Sequence, residues 1–186
     1  MNKPLVTVIT PTTEDRETFN DRCERLILAQ DYPNVQYLFD YSPGTIGEKR
    51  NRLCALAAGE IIVHFDSDDW YAPDWISKSV TALQTCDCTG LNRAYFEDVA
   101  NNRKWLWEYD YKKLGQQAAV AGATMAYWKH VWQRNPFPEI SIGEERQFMA
   151  NAGIIQPHDH IGGFIAKIHN ANTISHTQTK WMARVL

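Results

Sequence analysis

Hydrophobic positions change period repeatedly along the first half of the chain. Residues 5–10 (LVTVIT) form a β-branched run closed by Pro11, after which Phe19, Cys23, Leu26, Ile27 and Gln30 recur at helical spacing. Residues 35–39 predict a second strand ending at Asp40, and Pro43-Gly44 turns the chain into a helix with Leu53, Leu56 and Ala57 on one face. Gly59 is placed to end that helix. Residues 60–65 (EIIVHF) are apolar almost throughout rather than alternating, the signature of a parallel strand covered on both faces. After Pro73, Ile76, Ser79, Val80 and Leu83 mark another helix, so residues 1–85 read βαβαβα and predict a parallel, helix-flanked sheet.

The second half is less regular. Residues 89–96 and 105–109 read as strands around a polar segment, and 123–127 as a further strand before a helix over 128–134. Gly143-Glu144-Glu145 precedes a helix whose apolar positions are Phe148, Met149 and Ala152, with Glu145 on the same face.

Composition narrows the class. With 186 residues, 44% of them apolar, and a net charge of −3, the chain is expected to form one packed domain over 1–186, with 1–85 binding a nucleotide-sugar and 86–186 completing the acceptor and catalytic part. The charge argues against a nucleic-acid partner. No apolar run approaches the roughly 20 residues of a membrane span. The Met1-Asn2-Lys3-Pro4 start lacks a signal-peptide core, so a cytoplasmic location is expected. Cys23, Cys54, Cys86 and Cys88 are expected to be reduced structural thiols, because their spacing does not suit zinc.

The chemistry concentrates where residues 60–65 run into Asp66-Ser67-Asp68-Asp69. Ligands of parallel α/β sheets gather at strand carboxyl ends, and crowded carboxylates repel one another until a cation relieves them. Oxygen ligands favour Mg2+ or Mn2+. An acidic turn can equally cap the next helix, but Asp40 ends the neighbouring strand and opens a fourth carboxylate onto the same crevice, where it could meet a nucleotide base.

These residues resemble the family-2 glycosyltransferases, whose fold is of the GT-A type: an α/β nucleotide-sugar-binding fold with a mainly parallel central sheet flanked by helices. The resemblance runs from about residue 4 to residue 178. It is carried by Pro4-Leu-Val-Thr-Val-Ile-Thr-Pro11, by Gly47-Glu-Lys-Arg-Asn-Arg52, and by Gly59 through Asp69 with its DXD motif, followed by Trp70-Tyr-Ala-Pro-Asp74. Pro136-Phe-Pro138 and Gly143-Glu144-Glu145 look like the family's Gly-Glu-Asp segment, and Phe164 through Thr173 looks like its C-terminal piece.

The resemblance implies donor contacts from Thr10, Pro11, Asp40, Lys49, Arg50, Asn51, Asp66, Ser67 and Asp68. It implies a metal held by Asp66, Asp68 and Asp69, with His169 as a further ligand or a diphosphate contact. Lys49, Arg50 and Arg52 could instead form an exposed basic face. Glu145 stands where the family has its aspartate base, on a side chain one methylene longer, with Glu144 beside it. Trp105, Trp107 and Tyr109 alternate onto one strand face, which is either core or an acceptor platform; Trp70 is better placed to shape the donor pocket. His158 and His160 flank Asp159 in a loop read as solvated.

The implied activity is inverting transfer from a nucleoside diphosphate sugar, a UDP-sugar being favoured, to a hydroxyl of a glycan, lipid-linked or small-molecule acceptor. A non-catalytic carbohydrate- or nucleotide-binding protein on the same fold is the alternative. A sugar nucleotidyltransferase would need a glycine-rich phosphate loop where this chain has Thr10-Pro-Thr-Thr-Glu-Asp15. Dinucleotide and P-loop fingerprints do not occur.

Overall fold

The computed structural model describes residues 3–109, 119–170 and 172. Thr173 and the stretch to residue 178 that completes the expected resemblance lie outside the described residues. In chain order the elements are β1 (Val6–Pro11), α1 (Glu17–Leu28), β2 (Val35–Asp40), α2 (Ile46–Leu56), β3 (Ile61–His64), β4 (Trp70–Tyr71), α3 (Trp75–Ala82) and β5 (Cys88–Gly90). They continue with β6 (Arg93–Asp98), β7 (Arg103–Glu108), β8 (Ala126–Trp128), α4 (Lys129–Arg134), α5 (Glu144–Met149), β9 (Ile155–Pro157) and β10 (Phe164–Ile168).

A six-stranded sheet in the order β2-β1-β3-β8-β5-β9 forms the centre. β1 pairs parallel with both β2 and β3, while β8 runs antiparallel to β3 and β5. The parallel arrangement expected of the first half is therefore present. One reversed strand, β8, extends it. A second sheet, β4-β10-β6-β7, lies beside the acidic turn.

β3 explains why its sequence does not alternate. Ile61 and Val63 pack with Val6, Val8, Cys23, Ile27, Trp75 and Ile76, on the side of α1 and α3. Ile62 packs with Leu53, Cys54, Val131 and Phe148, on the side of α2, α4 and α5. Both faces are buried, so neither tolerates a polar position without a partner.

Three local expectations are corrected. Leu56 is 70% exposed, and Cys54 replaces it beside Leu53 in the core. Gly59 does not cap α2, whose C-cap is the extended Ala57. A Cβ on Gly59 would stand 2.6 Å from Thr7 N, so the glycine serves close approach to β1 instead. The single strand read over 89–96 is two strands in different sheets, β5 and β6. The chain changes sheets at Leu91, which is fully buried between them.

Helix α2 starts firmly. Thr45 Oγ1 accepts from Glu48 N at 3.2 Å, while Glu48 Oε2 accepts from Thr45 N at 2.7 Å, a reciprocal capping box. This fixes the direction in which Lys49 and Arg50 leave the helix.

Candidate active site

The end of β3 delivers Asp66, Ser67, Asp68 and Asp69 beside the ends of β1 and β2. Their three carboxylates diverge. Asp69 Oδ1 accepts the backbone N–H of Lys167 at 2.8 Å, so this carboxylate joins β10 to the turn. Burial, reinforced by the charges of Asp68 and Asp66, raises its pKa well above the carboxylate range. Asp68 Oδ2 accepts from Asn172 Nδ2 at 3.1 Å, lies 3.0 Å from His169 Nε2 and pairs with Arg16. Asp66, a third exposed, lies 3.8 Å from Arg50 Nη2. The close-packed surroundings still raise its pKa; Arg50 opposes the rise and Asp68 adds to it.

Among the described residues no three His, Cys, Asp or Glu side chains converge on one metal position. The expectation of three aspartates crowding one ion is thus redrawn, with Asp69 committed to the backbone of β10. Asp68 and His169 do fit a divalent cation. Bonds of about 2.0–2.1 Å in an octahedron put neighbouring ligands about 3 Å apart, and Asp68 Oδ2 and His169 Nε2 are 3.0 Å apart. The Arg16 guanidinium supplies positive charge at that same carboxylate oxygen.

Helix α1 forms the wall opposite the turn. Phe19 stacks on His169, with ring centroids 4.6 Å apart and an interplanar angle of 17°. Arg22 Nη2 donates to the carbonyl oxygens of Asp68 (2.5 Å) and Asp69 (3.1 Å). Arg16, Phe19 and Arg22 share one side of the chain at spacings of three, as helical geometry allows. No motif in the sequence announces them, because their partners lie at least 46 residues away.

The other expected donor contacts separate into two groups. Lys49 and Arg50 are each 3% exposed, which overturns the reading of an exposed basic face; only Arg52 reaches solvent. Lys49 Nζ donates to Thr12 O, and burial lowers its pKa. Asp40 is engaged by Ser42 and by Arg52 Nε at 2.7 Å. Burial alone would raise its pKa, but the bonds from Ser42 and Arg52 outweigh it and lower it. Ser67 Oγ accepts from Thr12 Oγ1 at 3.4 Å. Thr10 turns its hydroxyl to Cys23 Sγ at 3.8 Å, and Pro11 pairs with Asp40 across the sheet.

Asn51 is placed differently from expectation. Its amide donates to Phe137 O at 2.9 Å and accepts from Trp132 Nε1 (2.9 Å) and Phe137 N (3.0 Å). Three of its four hydrogen-bonding positions are used inside the protein. It anchors the segment ahead of α5 rather than facing the cleft.

Helix α5 brings the two glutamates. Glu144 is buried, with Oε1 2.5 Å from Arg50 Nη1. Burial, against the opposing charge of Arg50, raises its pKa to about 7. Glu145 is half-buried and lies across Gly122: a Cβ added to that glycine would come 3.1 Å from Glu145 Cγ. Its charge acts on both Asp66 and Arg50, so it borders the acidic turn.

Tyr71 joins the two ends of this cleft. Its hydroxyl accepts from Asp66 N and donates to Ala123 O, both at 2.9 Å. Trp70 is half-buried, and its strand pairs with β10. Trp105 and Trp107 are half-buried on β7, Trp105 stacked on Phe96 across the hairpin. Burial and the nearby charges of Glu145 and Asp69 raise the Tyr109 pKa, which places this end of the aromatic row near the base helix.

His158 and His160 do not form a solvated loop. His158 packs on Trp75 with centroids 5.2 Å apart, and burial lowers its pKa to about 4. His160 Nε2 lies 2.9 Å from Asp74 Oδ1. The four cysteines are free and buried, as their spacing suggested.

A mixed sheet with a carboxylate turn at the end of its central strand, facing a helix-borne glutamate pair, defines a GT-A domain. The chain belongs to glycosyl transferase family 2, whose sequence profile matches residues 17–141. Solved structures agree on the fold. The S. aureus TarS fragment 1–349 bound to UDP-GlcNAc superposes with a TM-score of 0.67 at 16% identity, covering 90% of this chain and 60% of that one. Its complex with UDP gives 0.64 at 15% identity, covering 89% and 61%. Mannosyltransferase PcManGT from Pyrobaculum calidifontis, in complex with GDP-Man and Mn2+, gives 0.64 at 15% identity, covering 96% and 60%. The chain spans about three fifths of the length of these structures. No curated protein sequence matches it. Among the described residues no helix is long and apolar enough to cross a membrane.

Proposed function

We propose that the chain transfers a sugar from a nucleoside diphosphate sugar to an acceptor hydroxyl with inversion, and that Glu145 is the general base. The observation that carries this reading is the position of Glu145, half-buried over Gly122 and within electrostatic reach of Asp66, on the far side of the cleft from the Asp68–His169 pair.

Asp68 and His169, with Asp66 beside them, would hold a divalent cation, Mn2+ or Mg2+, whose charge offsets that of the departing diphosphate. Asp40, Lys49 and Ser67 line the donor side. Arg50 holds Asp66 and Glu144 in one arrangement. Glu145 takes the proton as the acceptor oxygen bonds to the anomeric carbon and the bond from that carbon to the phosphate oxygen breaks. Nucleoside diphosphate leaves with the bonding pair. Attack and departure on opposite faces invert the anomeric centre without a covalent intermediate.

Two fold relatives bind UDP-GlcNAc and GDP-Man, which supports a nucleotide-sugar donor, with a UDP-sugar favoured here. The aromatic face of Trp105 and Trp107, with Trp70, would meet a glycan, lipid-linked or small-molecule acceptor in polysaccharide biosynthesis, and a cytoplasmic setting suits such donors. Titration of the protein with UDP, GDP and dTDP, with and without Mn2+, tests the donor half. One nucleotide binding only with metal, and not to Asp68→Ala, supports the reading; metal-independent binding of all three, or of none, rejects it. Release of free nucleotide from the matching sugar donor distinguishes an enzyme from a binding protein.

A further inference from the structure

β3 carries one polar side chain in its interior, His64, and that residue is fully buried. Its ring nitrogens touch two groups: Nδ1 lies 2.8 Å from Gly122 O, and Nε2 lies 3.1 Å from Tyr127 Oη. A carbonyl oxygen only accepts, so Nδ1 carries the hydrogen. The nearby charge of Arg50 disfavours a second ring proton. Nε2 therefore accepts from the Tyr127 hydroxyl. That leaves the Tyr127 oxygen to accept from Cys54 S–H, 3.3 Å away. Every hydrogen in the chain Cys54, Tyr127, His64, Gly122 is thereby assigned.

The chain ends at the shelf under Glu145. Gly122 opens a single helical turn, Gly122–Thr124, gripped from below at three points. His64 holds Gly122 O through its ring and Met125 O through its backbone N–H (2.9 Å), and Tyr71 holds Ala123 O at 2.9 Å. The grip has no slack above it either, since Glu145 leaves no room for a Cβ on Gly122 without displacement. Moving the Gly122 carbonyl thus moves the surface on which Glu145 rests.

We infer that His64 is a positioning residue for proton transfer: its Nδ1–H, oriented by Tyr127 and Cys54, fixes the Gly122 shelf and so the reach of Glu145. The inference rests on the reading of Glu145 as the base. A misplacement of about 1 Å at a reacting group can cost on the order of a hundredfold in rate, whereas the donor side, built on Asp68 and His169, makes no use of this shelf.

The test compares His64→Asn, which can present its amide hydrogen where Nδ1–H stands, with His64→Gln, which reaches toward Nε2 instead. Turnover is read as UDP release from UDP-GlcNAc and GDP release from GDP-mannose; donor-side integrity is read as UDP and GDP binding with Mn2+. His64→Gln should lose about ten- to a hundredfold in kcat with nucleotide affinity and donor KM unchanged, and His64→Asn should recover most of the loss. Equal losses in the two variants, or losses matched by weaker nucleotide binding, would make His64 a plain core residue and overturn the inference. Glu145→Gln separates the two claims: full activity there rejects the base, whereas an inactive Glu145→Gln with a fully active His64→Gln rejects the positioning role alone. Imidazole nitrogen resonances need no turnover. They should report the Nδ1–H tautomer, and an Nε2–H tautomer overturns the inference directly.

Discussion

Arg50 and Glu144, 94 positions apart in sequence, form a buried ion pair with Nη1 and Oε1 2.5 Å apart. The same guanidinium reaches toward Asp66 at 3.8 Å. One cation thus ties the acidic turn after β3 to the first turn of α5. Its burial makes the tie conditional, because a buried charge that loses its partner is far more costly than one in water.

Arg50→Met is accordingly expected to destabilise the protein by about 3–5 kcal/mol at pH 8, where Glu144 is ionised. The loss should be smaller at pH 6, where Glu144 can protonate. Chemical denaturation at the two pH values measures the difference, and equal losses would mean that Glu144 is not the group responsible.

Glu144 itself sets a sign. Its folded pKa of about 7 stands above the ordinary 4.5, so the folded state holds this proton more tightly than the unfolded chain does. Its contribution to stability is present below about pH 4.5 and is lost as pH rises through about 7. Relative to Glu144→Gln, the wild type should therefore lose melting temperature across that window, and a parallel pair of Tm curves would contradict the raised pKa.

Removal of the base should separate chemistry from binding. Glu145→Gln is expected to lower turnover by about a hundred- to ten-thousandfold while leaving nucleotide binding intact. Gly122→Ala should produce a milder version of the same phenotype, because its new methyl group meets Glu145 Cγ at 3.1 Å. Nucleotide release kinetics beside calorimetric binding give both numbers; weakened binding in either variant would place these residues on the donor side.

Thiol chemistry probes the core independently. Burial pushes the Cys23 and Cys54 thiols up to about 12, and Cys86 and Cys88 are raised too. Iodoacetamide at pH 8 should leave the native protein unlabelled and modify all four cysteines after denaturation. Rapid native labelling at any one of them would locate a local opening.

What the sequence made legible follows the range of the interaction. The unbroken run of residues 60–65 predicted a doubly covered strand, and both of its faces are packed. The DXD turn and the Glu144-Glu145 pair were legible because each is a local string. The partners were not. Arg16 and Arg22 lie on α1 as ordinary polar residues until the fold brings them to Asp68. Asn51 looked like a ligand-facing neighbour of Arg50, but a helix points adjacent residues in different directions, and its amide went to Phe137 and Trp132. His64 passed as an interruption in an apolar strand, since nothing local names Gly122 and Tyr127 as its partners.

The bond from Lys167 N to Asp69 Oδ1 spans 98 positions, and the contact between His169 and Asp68 spans 101. During synthesis, the acidic turn therefore emerges long before the strand that quiets it. A nascent chain that has left the ribosome only through β9 must carry a desolvated carboxylate at Asp69 without its N–H partner, or keep the turn open to water. Docking of β10 is thus the step that completes the pocket. Ribosome-arrested chains ending before and after Phe164 should differ sharply in protease resistance at the acidic turn, with the donor site assembled last.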